Sequence, residues 1–126
     1  MKRQYNAHRN SKYKVSFEET SLEFKFWLAG LIDGEGCFNF SHNSPRIRIV
    51  LEERDKFVLD YIFQTIGGNI LKRTPQKSWK PHWKTQYEWG ITSIDNCLKF
   101  CHWILPSLIL KKEVCKKMIK ILEEFS

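Results

Sequence analysis

The sequence contains no long hydrophobic run. Its most apolar stretch covers about residues 26–32, far fewer than the roughly 20 residues that a membrane-spanning helix needs. No secretory signal is visible either. We therefore expect a protein that has no membrane partner.

The sequence lacks the cysteine spacing of a zinc module. The four cysteines are Cys37, Cys97, Cys101 and Cys115. Cys97 and Cys101 lie four residues apart on a predicted helix, where cysteine behaves as a small core residue. Nothing in the pattern requires disulfides, so we expect a reducing, intracellular compartment, either the cytoplasm of a prokaryote or an organelle.

Acidic residues are outnumbered. The chain has 21 Lys and Arg against 14 Asp and Glu, giving +7 and a pI near 9.3, which favours a polyanionic partner. A hydrophobic content of 42% excludes general disorder, and 126 residues form one domain. Residues 1–15 are predicted to be a basic arm that lies on phosphates or a solvated tail, and residues 16–126 to be the domain.

The stretch from Phe26 to Phe38 organises the chain. A capping box of Thr20 and Glu23 predicts a helix start near Thr20 or Ser21. From residue 26 to residue 32 the helix is apolar on nearly every side, which predicts that it is enclosed. Gly30 and Gly34 share one face. That face allows close approach of a second backbone, or else packs against the chain's own sheet.

Two acids, Asp33 and Glu35, follow at the helix end, where Gly34 and Gly36 are expected to stop it. Residues two apart point to different sides, so one acid should face structure and the other outward. A carboxylate at the negative end of the helix dipole favours a bound cation. Glu35 and the Gly34 carbonyl would offer oxygen ligands to magnesium. Two copies meeting at the glycines would bring together the two metals of a phosphodiester hydrolase.

The nonapeptide from Leu28 to Gly36, LAGLIDGEG, resembles the motif that names the LAGLIDADG homing endonucleases and matches it at seven of nine positions. The resemblance implies that Glu35 is a catalytic metal ligand for Mg²⁺ or Mn²⁺ and that Asp33 closes the helix end. The motif occurs once, as in homodimeric members. The implied dimer interface contains Trp27, Gly30, Leu31 and Gly34.

The hydrophobic periodicity predicts an α+β fold in the order αββαββα, with a further helix at the end. We expect strands at 37–41, 46–51, 69–73 and 83–91, and later helices at 56–66, 94–105 and 109–125. The two hairpins should form one antiparallel sheet with helices on one face, and by resemblance the sheet is saddle-shaped. The predicted core stripes are Phe57, Val58, Tyr61, Ile62 and Ile66 in the second helix, and Val114, Met118, Ile121, Leu122 and Phe125 in the last.

The other face of this sheet should be polar. Arginine and glutamine on such a face pair with guanine and adenine in a major groove, although an ordinary solvated face has the same pattern. A loop with Lys77, Trp79 and Lys80 lies beside it. The candidate residues for binding double-stranded DNA are Asn39, Ser41, Arg46, Arg48, Arg73, Lys84, Gln86 and Glu88.

A second match to the family follows Pro106, where the segment implies that Lys111 is a basic catalytic residue that stabilises charge on the phosphate. Lys112 is the alternative, and either lysine could instead only solvate a helix start. The sequence departs from the family in one place. No Gln follows the second strand to hold the attacking water, and Glu52 or Arg54 would have to replace it.

Three functions remain open. The first is a homodimeric, site-specific DNA endonuclease encoded in a group I intron, which by resemblance cuts across the minor groove and leaves short 3′ overhangs. The second is a maturase that binds intron RNA. The third is a DNA-binding regulator without cleavage, which the acid at Glu35 disfavours.

Overall fold

The computed structural model describes residues 14–75 and 84–125. Its helices are α1 (Leu22–Glu35), α2 (Lys56–Ile66), α3 (Ile94–Ile104) and α4 (Lys112–Phe125). Its strands are β1 (Gly36–Ser41), β2 (Ser44–Glu52), β3 (Asn69–Arg73) and β4 (Gln86–Thr92). Most of the basic arm, including Lys2 and Arg3, lies outside the described residues, as do Lys77, Trp79, Lys80 and Trp83.

The four strands form one antiparallel sheet in the order β1-β2-β4-β3. A two-residue turn joins β1 to β2, and its residues His42 and Asn43 have φ values of 54° and 68°. This is the left-handed geometry that tight hairpin turns require. The predicted α+β fold is confirmed, and β3 spans the expected residues.

The helices cover one face of the sheet and enclose the hydrophobic core. From the sheet, Ile47, Ile49 and Trp89 are fully buried, and α1 contributes Leu28 and Ile32. The indole of Trp89 donates to the Gly67 carbonyl at 2.8 Å, so this large side chain is anchored as well as packed. Cys97 and Cys101 lie in this core, as expected, together with Cys115.

The start of α1 differs from the predicted capping box. Ser21, not Thr20, caps the helix, since its hydroxyl accepts from the Phe24 amide at 3.1 Å. The Thr20 hydroxyl instead donates to the Phe17 carbonyl at 2.8 Å. The prediction that α1 is enclosed was also wrong for the single chain, because only the face with Phe24, Leu28, Ala29 and Ile32 packs on the core.

In α2 and α4 the buried face is rotated about the helix axis from the predicted core stripe. In α2 the buried residues are Leu59, Ile62 and Ile66, while Phe57 and Tyr61 are exposed. The apolar residues of α2 cover more than one face, and the sheet selects only one. In α4 the buried residues are Cys115, Met118, Ile119 and Leu122.

Several element boundaries also differ from the predicted ones. The last helix begins at Lys112, because the amides of residues 109 and 111 bond to Asp33 instead of starting a helix. The fourth strand begins at Gln86. The fold itself reaches back into the end of the predicted arm, since Val15 is buried and bridges Gly67. In the described part of the chain, no helix combines the length and the hydropathy that a bilayer crossing requires.

Candidate active site and nucleic-acid interface

The carboxyl end of α1 is tied to the segment that precedes α4. The Asp33 carboxylate accepts two backbone hydrogen bonds, from the Ile109 amide at 2.9 Å and from the Lys111 amide at 3.0 Å. A carboxylate that accepts from backbone amides makes a strong, charge-assisted contact. Asp33 therefore faces structure, as expected, and holds residues 109–111 against the helix end.

This contact places Lys111 at the end of α1. Its ammonium group donates to the Asp33 carbonyl at 2.8 Å, which is one of the carbonyls that a helix leaves unpaired. The positive charge also offsets the negative end of the helix dipole. The carbonyl belongs to a residue only two positions from Glu35, so Lys111 and Glu35 share one helix end. Lys112, the alternative, begins α4.

Glu35 is the last residue of α1 and is exposed. In the described ranges its side chain has no hydrogen bond or ion pair, so it faces outward as expected. The Ile32 carbonyl accepts from the Gly36 amide and the Asp33 carbonyl from Lys111. The Gly34 carbonyl receives neither bond. A carboxylate beside a carbonyl is the type of oxygen-donor pair that a hard divalent cation prefers.

The described residues supply only part of a metal site. Among residues 14–75 and 84–125, no cluster of three or more His, Cys, Asp or Glu side chains could hold a metal ion. The donors at Glu35 and Gly34 therefore fit magnesium or manganese in kind but not in number. Further ligands would come from outside these described residues, for example from a second copy, from water or from phosphate oxygens.

The face of α1 opposite the core is apolar and open. A Cβ atom built at Gly30 or Gly34 meets nothing within 4 Å. The helix therefore does not pack its glycines against its own sheet, which removes one of the two alternatives for this pair. Beside them, Trp27 contacts Tyr61 of α2, with ring centroids 5.4 Å apart. The exposed apolar residues of α1 are Leu22, Phe26 and Trp27, and Leu31 is half-buried.

The end of β2 lies next to this helix end. Gly36, the residue after Glu35, pairs with Ile49, so the last residues of β2 extend past the start of β1. Glu52 is opposite Gln86 of β4 on the open face of the sheet. The Arg54 side chain lies 3.6 Å from the Glu52 carboxylate. Gln86 therefore places a glutamine beside the end of β2, the region in which the sequence itself has no glutamine.

The face of the sheet opposite the helices is open and carries most of the predicted DNA-contacting residues. Residues that are directly opposite on neighbouring strands share a face, and the register therefore groups them. Lys84 is exposed but lies before β4, outside the sheet. The predicted residues on this face are Asn39, Ser41, Arg46, Arg48, Arg73, Gln86 and Glu88.

Sequence reasoning missed several neighbours on the same face. Cys37 is opposite Arg48, and Thr92 is opposite Arg46. A groove of about 670 Å³ opens here and is bordered by Lys14, Lys99 and Asn69 as well as by the arginines. Alternation along the first strand already groups Cys37 with Asn39 and Ser41, and the same alternation would assign Thr92 to this face, but the partners of each strand follow only from the sheet order.

Arginine side chains surround Glu88 on this open face. Arg46 donates a hydrogen bond to the Glu88 carboxylate at 3.3 Å. Arg48 lies 3.7 Å from the carboxylate and Arg73 4.0 Å from it. The predicted base-contacting arginines are therefore linked to one acid.

Residues 28–103, more than half of the chain, match the family model described as LAGLIDADG endonuclease. A 63-residue segment is 33% identical to the intron-encoded RNA maturase bI4 of Saccharomyces cerevisiae, and it covers 49% of this chain but only 10% of that protein.

Solved structures share the fold. The homing endonuclease I-CvuI in complex with its target, in the presence of 2 mM Ca, is 19% identical with a TM-score of 0.64, and the match covers 81% of this chain and 67% of that one. A second I-CvuI structure, in the presence of 2 mM Mg with DNA not cleaved, is 18% identical, with a TM-score of 0.62 and the same coverage. The homing endonuclease I-TnaI is 26% identical with a TM-score of 0.59, covering 80% and 72%.

Proposed function

Because the chain belongs to the LAGLIDADG endonuclease family, we propose that it is a site-specific DNA endonuclease that cuts both strands of a long recognition site as a homodimer. The proposal includes its encoding within a group I intron. The observation that carries it is the exposed carboxylate of Glu35, which has no ion pair among the described residues, at the end of the open glycine face of α1. The two features together would form half of an active site that a second copy completes.

In the proposed dimer the α1 helices of two copies pack through Gly30 and Gly34. A Cβ atom at either glycine meets nothing within 4 Å among the described residues, and the neighbouring Phe26 and Trp27 are exposed hydrophobic residues. Burying them against the same face of a second copy removes apolar surface from water. It also brings two Glu35 carboxylates together, which a monomer cannot do, and places the two sheets side by side over one DNA duplex.

Glu35 and the Gly34 carbonyl would hold Mg²⁺ or Mn²⁺ in each half of the dimer. A divalent cation bound there supplies Lewis-acid stabilisation of the charge that develops on phosphate oxygens. Lys111, fixed at the same helix end by the Asp33 contacts, adds a positive charge that stabilises the attacked phosphate. Each protomer acts on one strand, with the cuts across the minor groove.

The open sheet face would bind the DNA. Arg46, Arg48 and Gln86 present the side chains that pair with guanine and adenine edges, while the basic arm lies on phosphates and adds affinity without specificity. The product would be a double-strand break with short 3′ overhangs.

Glu35→Gln tests the active site. The target is first recovered by binding selection from a duplex library with a randomised centre, in EDTA. Glu35→Gln should keep the fold and bind this target, but cleavage in Mg²⁺ should fall to background, because the charge that holds the metal is gone. Wild-type protein in EDTA should show the same loss.

Glu124→Gln is the matched control. It removes the same charge from an exposed position on α4 and should leave cleavage unchanged. Full cleavage by Glu35→Gln would falsify the metal assignment. A wild-type protein that binds the target but does not cut it would instead favour the DNA-binding regulator.

The relationship to an intron-encoded RNA maturase supports a second candidate, binding of group I intron RNA. It covers a tenth of that protein and half of this chain, so it carries less weight than the active-site geometry. Acceleration of splicing of a group I intron RNA, with no effect of Glu35→Gln, would support it. Equal affinity for that RNA and for an unrelated RNA of the same length would exclude it.

A further inference from the structure

Glu88 is the buried charged residue of the described chain. It lies on the open face of the sheet, yet only 7% of it is exposed. Its neighbours directly opposite, Val50 on β2 and Leu71 on β3, are apolar. A carboxylate is seldom buried unless it is paired, because removal of an ion from water is costly. The position therefore requires an explanation other than contact with solvent or with a base.

The pairing comes from both flanking strands. The Oε2 atom of Glu88 faces Arg46 at 3.3 Å, and the Oε1 atom faces Arg48 at 3.7 Å and Arg73 at 4.0 Å. The arginine side chains remain between about a quarter and two fifths exposed, while that of Glu88 is 9% exposed. The guanidinium groups thus form the outer layer, and the carboxylate lies beneath them.

We infer that Glu88 is a positioning residue: it contacts no base, but holds Arg46, Arg48 and Arg73 in fixed orientations and so sets how sharply the protein discriminates DNA sequences. This inference rests on the proposed function as a site-specific DNA-binding enzyme. It revises the prediction that Glu88 itself contacts DNA, because the carboxylate lies under the side chains that would meet the DNA.

The physical reason is that Glu88 and the DNA phosphates compete for the arginine side chains. A free arginine is long and flexible, and it moves to the nearest phosphate of any sequence, which gives affinity without specificity. An arginine held by Glu88 loses less conformational freedom when it meets a guanine edge in the right place, since its planar donors are already oriented. It must also give up the carboxylate to follow a phosphate. Glu88 therefore weakens non-specific binding and favours base contacts.

The test compares two substitutions at this position. Glu88→Gln keeps the size and removes the charge, and Glu88→Asp keeps the charge but shortens the side chain. The probes are the library-selected target duplex and a random-sequence duplex of equal length, in EDTA. For Glu88→Gln we expect tighter binding to the random duplex, a steeper salt dependence, and a ratio of specific to non-specific affinity that falls about tenfold.

Glu88→Asp should lower the same ratio without a change in the salt dependence, because net charge is constant and only the geometry differs. Glu124→Gln is the charge-matched control and should leave the ratio as it is. In a double-mutant cycle, Arg48→Ala should lower the ratio of specific to non-specific affinity by a smaller factor in the Glu88→Gln background than in the wild type, since the two residues act together.

A purely structural role predicts a different pattern. If Glu88 only stabilises the sheet, both affinities fall together with the melting temperature and the ratio stays constant, which overturns the inference. An unchanged ratio in folded Glu88→Gln and Glu88→Asp overturns it too. Failure of the proposed function is distinct, because the wild-type protein would then enrich no sequence from the library at all.

Discussion

Replacement of Gly30 by alanine should change the stability of the single chain and that of the dimer in opposite directions. Gly30 lies within α1, and a Cβ atom there meets nothing within 4 Å. Alanine in a helix interior is more favourable than glycine by about 0.8–1 kcal/mol. With no clash to oppose this gain, the folded monomer of Gly30→Ala should be stabilised by about that amount.

The dimer should respond with the other sign. If the α1 helices of two copies meet at this residue, each copy adds a methyl group to a close contact. Overpacking of such a contact costs about 1–3 kcal/mol, which corresponds to a dissociation constant raised by roughly one to two orders of magnitude. Gly30→Val adds more volume at the same point and should weaken the dimer further.

The assay combines two measurements on one protein series. Sedimentation over a range of concentrations gives the dimer dissociation constant, and urea unfolding below that constant gives the stability of the monomer, since unfolding of a dimer depends on concentration. Gln64→Ala, at an exposed site on α2, is the control for helix propensity alone. An unchanged dissociation constant for Gly30→Val would refute the proposed interface, whatever the monomer does.

Two further predictions concern the helix end and the sheet face. Asp33→Asn has one acceptor oxygen in place of two, so it leaves the amide of Ile109 or that of Lys111 without an acceptor and should lower the free energy of unfolding by about 1–3 kcal/mol; lost cleavage with an unchanged melting curve would contradict this. A thiol reagent at pH 8 should modify one cysteine of the folded chain, Cys37, because the other three are buried and burial raises the pKa of Cys97 to about 12. The selected duplex should slow that reaction, since Cys37 is opposite Arg48 on the open face, and equal rates with and without DNA would argue against this face as the interface.

Local patterns predicted much of the fold because they depend on neighbours in sequence. Alternation along β2 placed Ile47 and Ile49 inward and Arg46 and Arg48 outward, as observed. The hairpin turn followed from its position between two alternating strands. The nonapeptide located α1, its glycine face and its acids without any knowledge of the sheet.

The predictions were wrong where residues that are distant in the sequence determine the local structure. The apolar periodicity predicts a helix that begins at Ile109. In the structure the Asp33 carboxylate instead accepts hydrogen bonds from the amides of residues 109 and 111. Alternation put Glu88 on the open face, yet its burial depends on β2 and β3 lying on either side of β4. No local pattern gives that order, so the link between Glu88 and its arginines was not predictable.

The proposed interface places Glu35 and Glu88 near DNA, and the structure compensates the charges of these two acids differently. Glu88 is enclosed and offset by three arginines, whereas Glu35, at the negative end of a helix, has no ion pair within the described ranges. An uncompensated carboxylate beside phosphates is repelled by them. Glu35→Gln should therefore bind the selected duplex more tightly than the wild-type protein in EDTA. The difference should vanish as Ca²⁺ is added, because a divalent cation at Glu35 offsets the charge that the substitution removes. Tighter binding by Glu35→Gln that persists at saturating Ca²⁺ would mean that the cation does not bind at this acid.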